Sequence, residues 1–170
     1  MELIKNRRSI KEFIYKKIDK ETILEILECG RWAPSDQNSQ PWRVCAVIHP
    51  TVKRMLSELS KDGKIIEDAY LSLAIFLDIE KSDNRKKSIL AVGAFMQNIL
   101  LGVSALGEIG AVLIGEILEQ KEKVNQLFKL PVEKFELMGV IAVGYFDEAR
   151  EKASKESRER RIVDEFVEWY

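Results

Sequence analysis

The stretch from residue 88 to 106 constrains the fold more than any other part of the chain. Ile89, Val92, Phe95, Met96, Ile99, Leu100, Val103 and Leu106 recur at steps of three and four, and Gly93, Ala94, Gly102, Ser104 and Ala105 supply small surfaces between them. That spacing predicts a helix, and its apolar character on nearly every side predicts that the helix lies at the centre of the fold.

The surrounding segments alternate in type. Asp19 is a good N-cap residue, and Ile23, Ile26, Leu27 and Gly30 follow it at helical spacing, which predicts a short amphipathic helix over 20–30 closed by the glycine. Residues 33–41, with Pro34, Pro41 and a run of short polar side chains, read as a loop. Residues 42–48 and 71–79 read as buried strands, with Val52, Met55, Leu56 and Leu59 marking a helix between them and 80–87 a charged, solvated exit. Gly107, Gly110 and Gly115 punctuate a loop and short strand, 119–130 is amphipathic, and 137–145 is a further buried strand. Interleaved helices and strands predict a sheet covered by helices, α/β or α+β. The chain has 170 residues, 46% of them hydrophobic, which suits a single domain over 1–170. Within it, 148–161 forms a charged arm and 162–170, with Val163, Phe166 and Val167, a tail expected to dock on its own subunit or on a partner.

Composition excludes several functions. Lys and Arg total 27 against 28 Asp and Glu, so no net positive field would gather nucleic acid or anionic lipid, and neither is expected as a partner. Cys29, Cys45 and the single His49 form no cluster at metal-ligand spacing, so no metal is expected. The N-terminus lacks the apolar core of a secretory signal, and a soluble, cytoplasmic protein is expected.

Few residues stand ready for catalysis. His49 has no Ser or Cys neighbour in sequence, the two cysteines lie in a predicted helix and strand, and Asp78, Glu80 and Asp83 are spaced as a solvated turn. Gly107-Glu108-Ile109-Gly110 does not complete G-x-G-x-x-G, and Gly115 is followed by Glu116, so the dinucleotide and P-loop fingerprints are both unmet. Three segments remain. Arg7-Arg8-Ser9 could grip a phosphate with two guanidinium forks and a hydroxyl, or be a solvated patch. The stretch 34–42 could bond the edge of a polar heterocycle, or be an Asx-rich loop with Trp42 as a core anchor. The glycines after residue 106 could present backbone N–H groups to a flat ligand, or form a tight turn. A chain without an evident acid, base or nucleophile borrows its reactivity from a cofactor.

Taken in order, the pieces resemble the nitroreductase family of FMN-dependent oxidoreductases. They are Arg7-Arg8-Ser9 with Lys11, Ala33-Pro34-Ser35 with Asn38-Ser39-Gln40-Pro41-Trp42, Gln97-Asn98 on the apolar helix ending Ala105-Leu106-Gly107, Leu113-Ile114-Gly115, Val143-Gly144-Tyr145, and basic Arg158 and Arg160. The resemblance spans nearly the whole chain, and its most specific piece is the second. It implies an α+β fold, a central mixed, mainly antiparallel sheet wrapped by helices, in an intertwined homodimer with two FMN sites at the interface. By that similarity Arg7, Arg8, Ser9 and Lys11 hold the ribityl phosphate and polar ring atoms, with Arg158 and Arg160 at the phosphate. Pro34, Ser35 and Asn38 come from the other subunit, and the backbone of Ile114 and Gly115 faces flavin N5 and O4.

The implied reaction is ping-pong: NADH or NADPH delivers hydride to N5 and leaves, and a nitroaromatic, quinone or related small electrophile then takes the electrons. Two alternatives use the same fold, a specialised FMN enzyme independent of NAD(P)H and a non-catalytic FMN-binding dimer. This chain is a short variant, with no room read between Leu56 and Ser88 for an additional helical lid. Asp36 places an extra carboxylate in the flavin loop, where it would disfavour anionic substrates or the anionic reduced flavin.

Overall fold

The computed structural model describes residues 1–147, 149 and 158–170, so most of the expected charged arm lies outside the described residues. The centre is a four-stranded sheet of β1 (Trp42–Val47), β2 (Leu71–Asp78), β3 (Ile109–Ile114) and β4 (Phe135–Tyr145) in the order β1-β2-β4-β3. All three pairings are antiparallel; parallel character enters only as an isolated bridge between Ser9 and Ala111 on the outer edge of β3. β2 is buried from Leu71 to Leu77, because both of its faces are covered. That is why it reads as an unbroken apolar run and not as an alternation.

The pleat divides the core in two. Leu71, Leu73, Ile75, Leu77, Ile109, Ala111, Ile141 and Val143 meet α2 (Lys20–Arg31) and α5 (Arg85–Ala105) on one face. Ala74, Phe76, Val112, Ile114, Val140 and Ala142 meet α3 (Pro50–Ser57), α4 (Gly63–Asp68) and α6 (Lys121–Leu127) on the other. The long apolar helix is therefore central, as its sequence predicts. It is long and apolar enough to cross a bilayer, but Val92, Phe95, Met96, Ile99 and Val103 are buried in the core instead. Its outward side is not covered: Leu90 is 73% exposed, and Gly93 and Gln97 are open.

Several boundaries differ from the sequence expectation. α5 begins one turn early, at Arg85, because the Asn84 carboxamide accepts the Lys87 N–H at 3.2 Å and caps a charged first turn that reads as loop. Gly30 does not end α2. It lies buried within the helix against Phe95 and Ile99, while Asp19 caps the other end by accepting the Thr22 N–H at 2.8 Å. The interval after α3 holds the short α4, and the amphipathic stretch near 119–130 divides into a 3-10 turn, Glu116–Gln120, and α6. A bulge sets Ile75 against Gly139 and Phe76 against Leu137, with Gly139 at φ 146°, a conformation that favours glycine.

Gly110 and Gly144 are cross-strand partners, and the N-terminal segment lies over them. A side chain at Gly110 would come within 2.3 Å of Ile10 Cγ1, and one at Gly144 within 2.8 Å of Phe13 Cδ1. The glycine pair is thus the groove that seats residues 10–13, and the Ile10 and Ile14 N–H groups complete the seating by donating to the carbonyls of Ala111 and Tyr145. The C-terminal tail is not buried on its own chain: Ile162 is 65% exposed, Phe166 59% and Trp169 84%.

Candidate functional site

α1 (Glu2–Asn6) ends at Arg7, and the chain then runs onto the β3 edge at Ser9. Arg7 Nη1 lies 3.5 Å from Ser9 Oγ, which puts a guanidinium and a hydroxyl side by side. The Arg158 guanidinium donates to the carbonyls of Lys5 and Arg7, capping the end of α1 and fastening the C-terminal segment beside the basic N-terminal one. Arg8 is half-buried, Lys11 is exposed, and Arg160 donates to the carbonyl of Glu159. Arg7 and Ser9 therefore stand side by side, with Arg158 held next to them through the Lys5 and Arg7 carbonyls, and a phosphate would complement the paired guanidinium and hydroxyl.

β3 carries the same edge onward to Ile114 and Gly115. The Ile114 side chain is buried, whereas Gly115 is exposed and a side chain there would meet nothing within 4 Å. The Gly115 carbonyl accepts the Leu118 N–H at 3.1 Å, and no carbonyl among the described residues accepts the Gly115 N–H. A flat ligand can approach this backbone closely. Gly110, also considered for that role, is instead filled over by Ile10.

The second half of the expected site is a shaped loop. Gln37, Asn38 and Gln40 adopt φ of 50°, 56° and 47°, left-handed conformations uncommon for side-chain-bearing residues. They are held by Ser35 Oγ, which accepts the Gln40 N–H at 3.0 Å, and by Asn38 Oδ1, which accepts from Gln40 Nε2 at 3.2 Å. Asp36 pairs with Lys87 on α5 at 2.9 Å in an exposed ion pair. Trp42 anchors the loop by stacking on Phe95 with centroids 4.9 Å apart.

This loop leads into β1, whereas Ser9 and Gly115 belong to β3, and those are the two opposite edges of the sheet. Three strand spacings separate them, about 14 Å. One chain brings Arg7, Ser9, Arg158 and the 114–115 turn to one edge and Pro34, Ser35 and Asn38 to the other.

One contact at the turn has no signal in the sequence. Glu116 Oε1 accepts the Ser60 hydroxyl and, at 3.3 Å, the Asp62 N–H, tying the turn after β3 to the corner between α3 and α4. Partial burial pushes the Glu116 carboxyl up, but the hydrogen bonds from Ser60, Asp62 and Lys61 and the Lys61 charge outweigh it and hold the group below the usual glutamate range. A separate open cleft of about 410 Å³, lined by Ile14, Lys16, Gly107, Glu108, Tyr145 and Phe146, lies at the other end of β3 and contains none of the expected cofactor residues.

Comparison with known proteins identifies the family and the fold. A profile described as the nitroreductase family matches residues 4–75 and 60–145. The chain is 29% identical over 149 residues to a protein of Methanothermobacter thermautotrophicus assigned as NADH dehydrogenase/NAD(P)H nitroreductase, with 85% of this chain and 76% of that protein covered. It is 30% identical over 169 residues to YfhC of Bacillus subtilis, assigned as an NAD(P)H nitroreductase, covering 88% of this chain and 86% of the relative. A crystal structure from Desulfovibrio desulfuricans, assigned as a nitroreductase and solved in complex with FMN, superposes with a TM-score of 0.88 at 31% identity, covering 98% of this chain and 93% of that one. The matched residues run from the basic segment through the proline loop to the end of β4, and the chain belongs to the nitroreductase family.

Proposed function

We propose that the chain is an FMN-dependent oxidoreductase that takes electrons from NADH or NADPH and passes them to a nitroaromatic, a quinone or a related small electrophile. It acts as a homodimer with its cofactor sites between subunits. The observation that supports this reading is the division of one donor set between the opposite edges of a single sheet, which a second copy would reunite. FMN in the Desulfovibrio desulfuricans structure and the NAD(P)H in the relatives' names supply the cofactor and donor.

In this reading Arg7, Arg8 and Ser9 hold the phosphate, with Arg158 and Arg160 beside them, and Lys11 reaches the polar edge of the ring. Pro34, Ser35 and Asn38 of the second copy close the site. The backbone of Ile114 and Gly115 faces the N5 and O4 edge, where N–H donors stabilise electron density arriving on the ring. Bound FMN supplies the hydride-accepting and electron-donating chemistry at N5, and the protein supplies binding, orientation and electrostatics. The uncovered apolar surface fits the dimer: Leu90 on α5, Leu24 on α2, Trp32 just after it, and Ile162, Phe166 and Trp169 of the tail are surfaces that a second copy would cover. A single FMN-binding unit over 1–170 in the cytoplasm is part of the same reading.

The test is the visible absorbance of the purified protein with FMN added, followed under anaerobic conditions on addition of NADH or NADPH. Bound flavin that bleaches, and recovers its colour with a nitroaromatic or quinone, is the expected result. Bound flavin that never bleaches would favour a specialised enzyme independent of NAD(P)H, and absence of flavin binding would overturn the proposal.

A further inference from the structure

We infer that Glu116 is a positioning residue for the reaction, locking the Ile114–Gly115 turn against the α3–α4 corner through Ser60 and the Asp62 backbone. The inference rests on the proposed flavin reading, since it concerns the turn whose backbone would face N5 and O4.

β3 is an edge strand, and the turn that leaves it contains an exposed glycine with open space around it. Left to itself, such a turn samples many orientations of its N–H groups. Two groups restrain it. Ile117, fully buried, anchors the far side of the turn, and Glu116 ties the near side.

What Glu116 grips is rigid. Leu56 at the end of α3 and Ile66 in α4 are both fully buried. Between them the chain is wound tightly: the N–H groups of Leu59, Ser60 and Gly63 donate to the carbonyls of Leu56, Ser57 and Ser60, and a side chain at Gly63 would lie 2.2 Å from the Ser57 carbonyl oxygen. That winding aims the Ser60 hydroxyl and the Asp62 N–H at one carboxylate oxygen. Lys61 of the same corner adds a 2.8 Å ion pair to Glu119, one helical turn beyond Glu116. Donors must be held near their productive direction to stabilise developing charge, so a carboxylate fixing the peptide next to those donors acts on the reaction without touching the ring.

The experiment compares the parent, E116A, E116Q and S60A as full-length, FMN-loaded proteins, with amide exchange over 114–118 followed in the flavin-free proteins. E116A is expected to speed exchange in the turn and to shift the equilibrium between oxidised and reduced flavin about tenfold toward the oxidised form, less than loss of a whole donor. Its FMN affinity changes little, because the phosphate end is untouched. E116Q and S60A move in the same direction by less. S60A combined with E116A adds nothing beyond E116A, as coupled partners require. E116Q and S60A keep the comparison open if E116A fails to fold. Variants that match the parent in both exchange and flavin equilibrium overturn the inference alone. Faster exchange with an unchanged flavin equilibrium also overturns it, leaving a structural tie. A parent that binds no FMN overturns the flavin reading and this inference together.

Discussion

Arg7 and Ser9 lie 3.5 Å apart on the edge of β3, and the chemistry assigned to them is that of charge-assisted hydrogen bonds to a phosphate. Arg7→Ala is expected to weaken FMN binding by about 1.5–3 kcal/mol, roughly ten- to a hundredfold, measured by flavin titration. An unchanged affinity would remove Arg7 from the site. At Asp19, bonds from the Thr22 N–H and hydroxyl hold the carboxyl below its ordinary range. A depressed folded value gives stability that is complete above the ordinary aspartate pKa and disappears as the pH falls through the folded one. Amide protection in the first turn of α2 should therefore fall in acid, and Asp19→Ala should abolish that dependence while lowering protection at neutral pH. A turn equally pH-sensitive in the variant would show that another group is responsible.

The elements place these residues through close approaches that only small residues allow. The Gly110–Gly144 pair seats Ile10 and Phe13, and that seating puts Ser9 on the β3 edge. Gly110→Val is expected to cost about 1–3 kcal/mol in urea unfolding, as overpacking does, and to loosen the N-terminal segment toward proteolysis. Unfolding and proteolysis matching the parent would mean that the segment is held by other contacts. On α5, the outward Leu90 is the clearest apolar residue without a neighbour of its own chain to cover it. Leu90→Asp should shift sedimentation from dimer toward monomer and lower FMN occupancy with it, whereas an intact dimer would place the interface elsewhere.

Element type was legible in the sequence wherever periodicity and burial agree, as in α5 and β2. What was not legible has a physical cause in each case. The first turn of α5 is charged because it is exposed, so its helical state depends on the Asn84 cap and not on an apolar stripe. Gly30 resembles a cap in sequence, but its reason for being small is Phe95, sixty-five residues away. The Ser60–Glu116 tie joins residues far apart in the chain, and neither stands out locally.

At the scale of the whole molecule, the sheet order is the decisive fact. The basic segment and the 114–115 turn lie on one edge and the proline loop leads into the other, an arrangement that the proposed two-chain site would reunite. The motifs were readable in order, and the resemblance implied that the proline loop comes from the other subunit; the strand order that puts the loop and the basic segment toward opposite edges was not readable, because it is a property of long-range pairing. The exposed tail, with Ile162, Phe166 and Trp169, extends the uncovered apolar surface beyond α2 and α5, surface that the proposed dimer would cover.

If each flavin site takes residues from both chains, two variants defective in different halves of it should complement each other when mixed. Arg7→Ala damages one half of every site and Asn38→Ala the other, so each homodimer is impaired at both sites. Dissociated and reassociated together, they form mixed dimers in which one site carries both lesions and the other carries none. The mixture is expected to regain tight FMN binding and reduction by NAD(P)H that neither variant has alone. If subunits exchange and the mixture binds FMN no better than the average of its two parents, each site is built from a single chain and the shared site is ruled out.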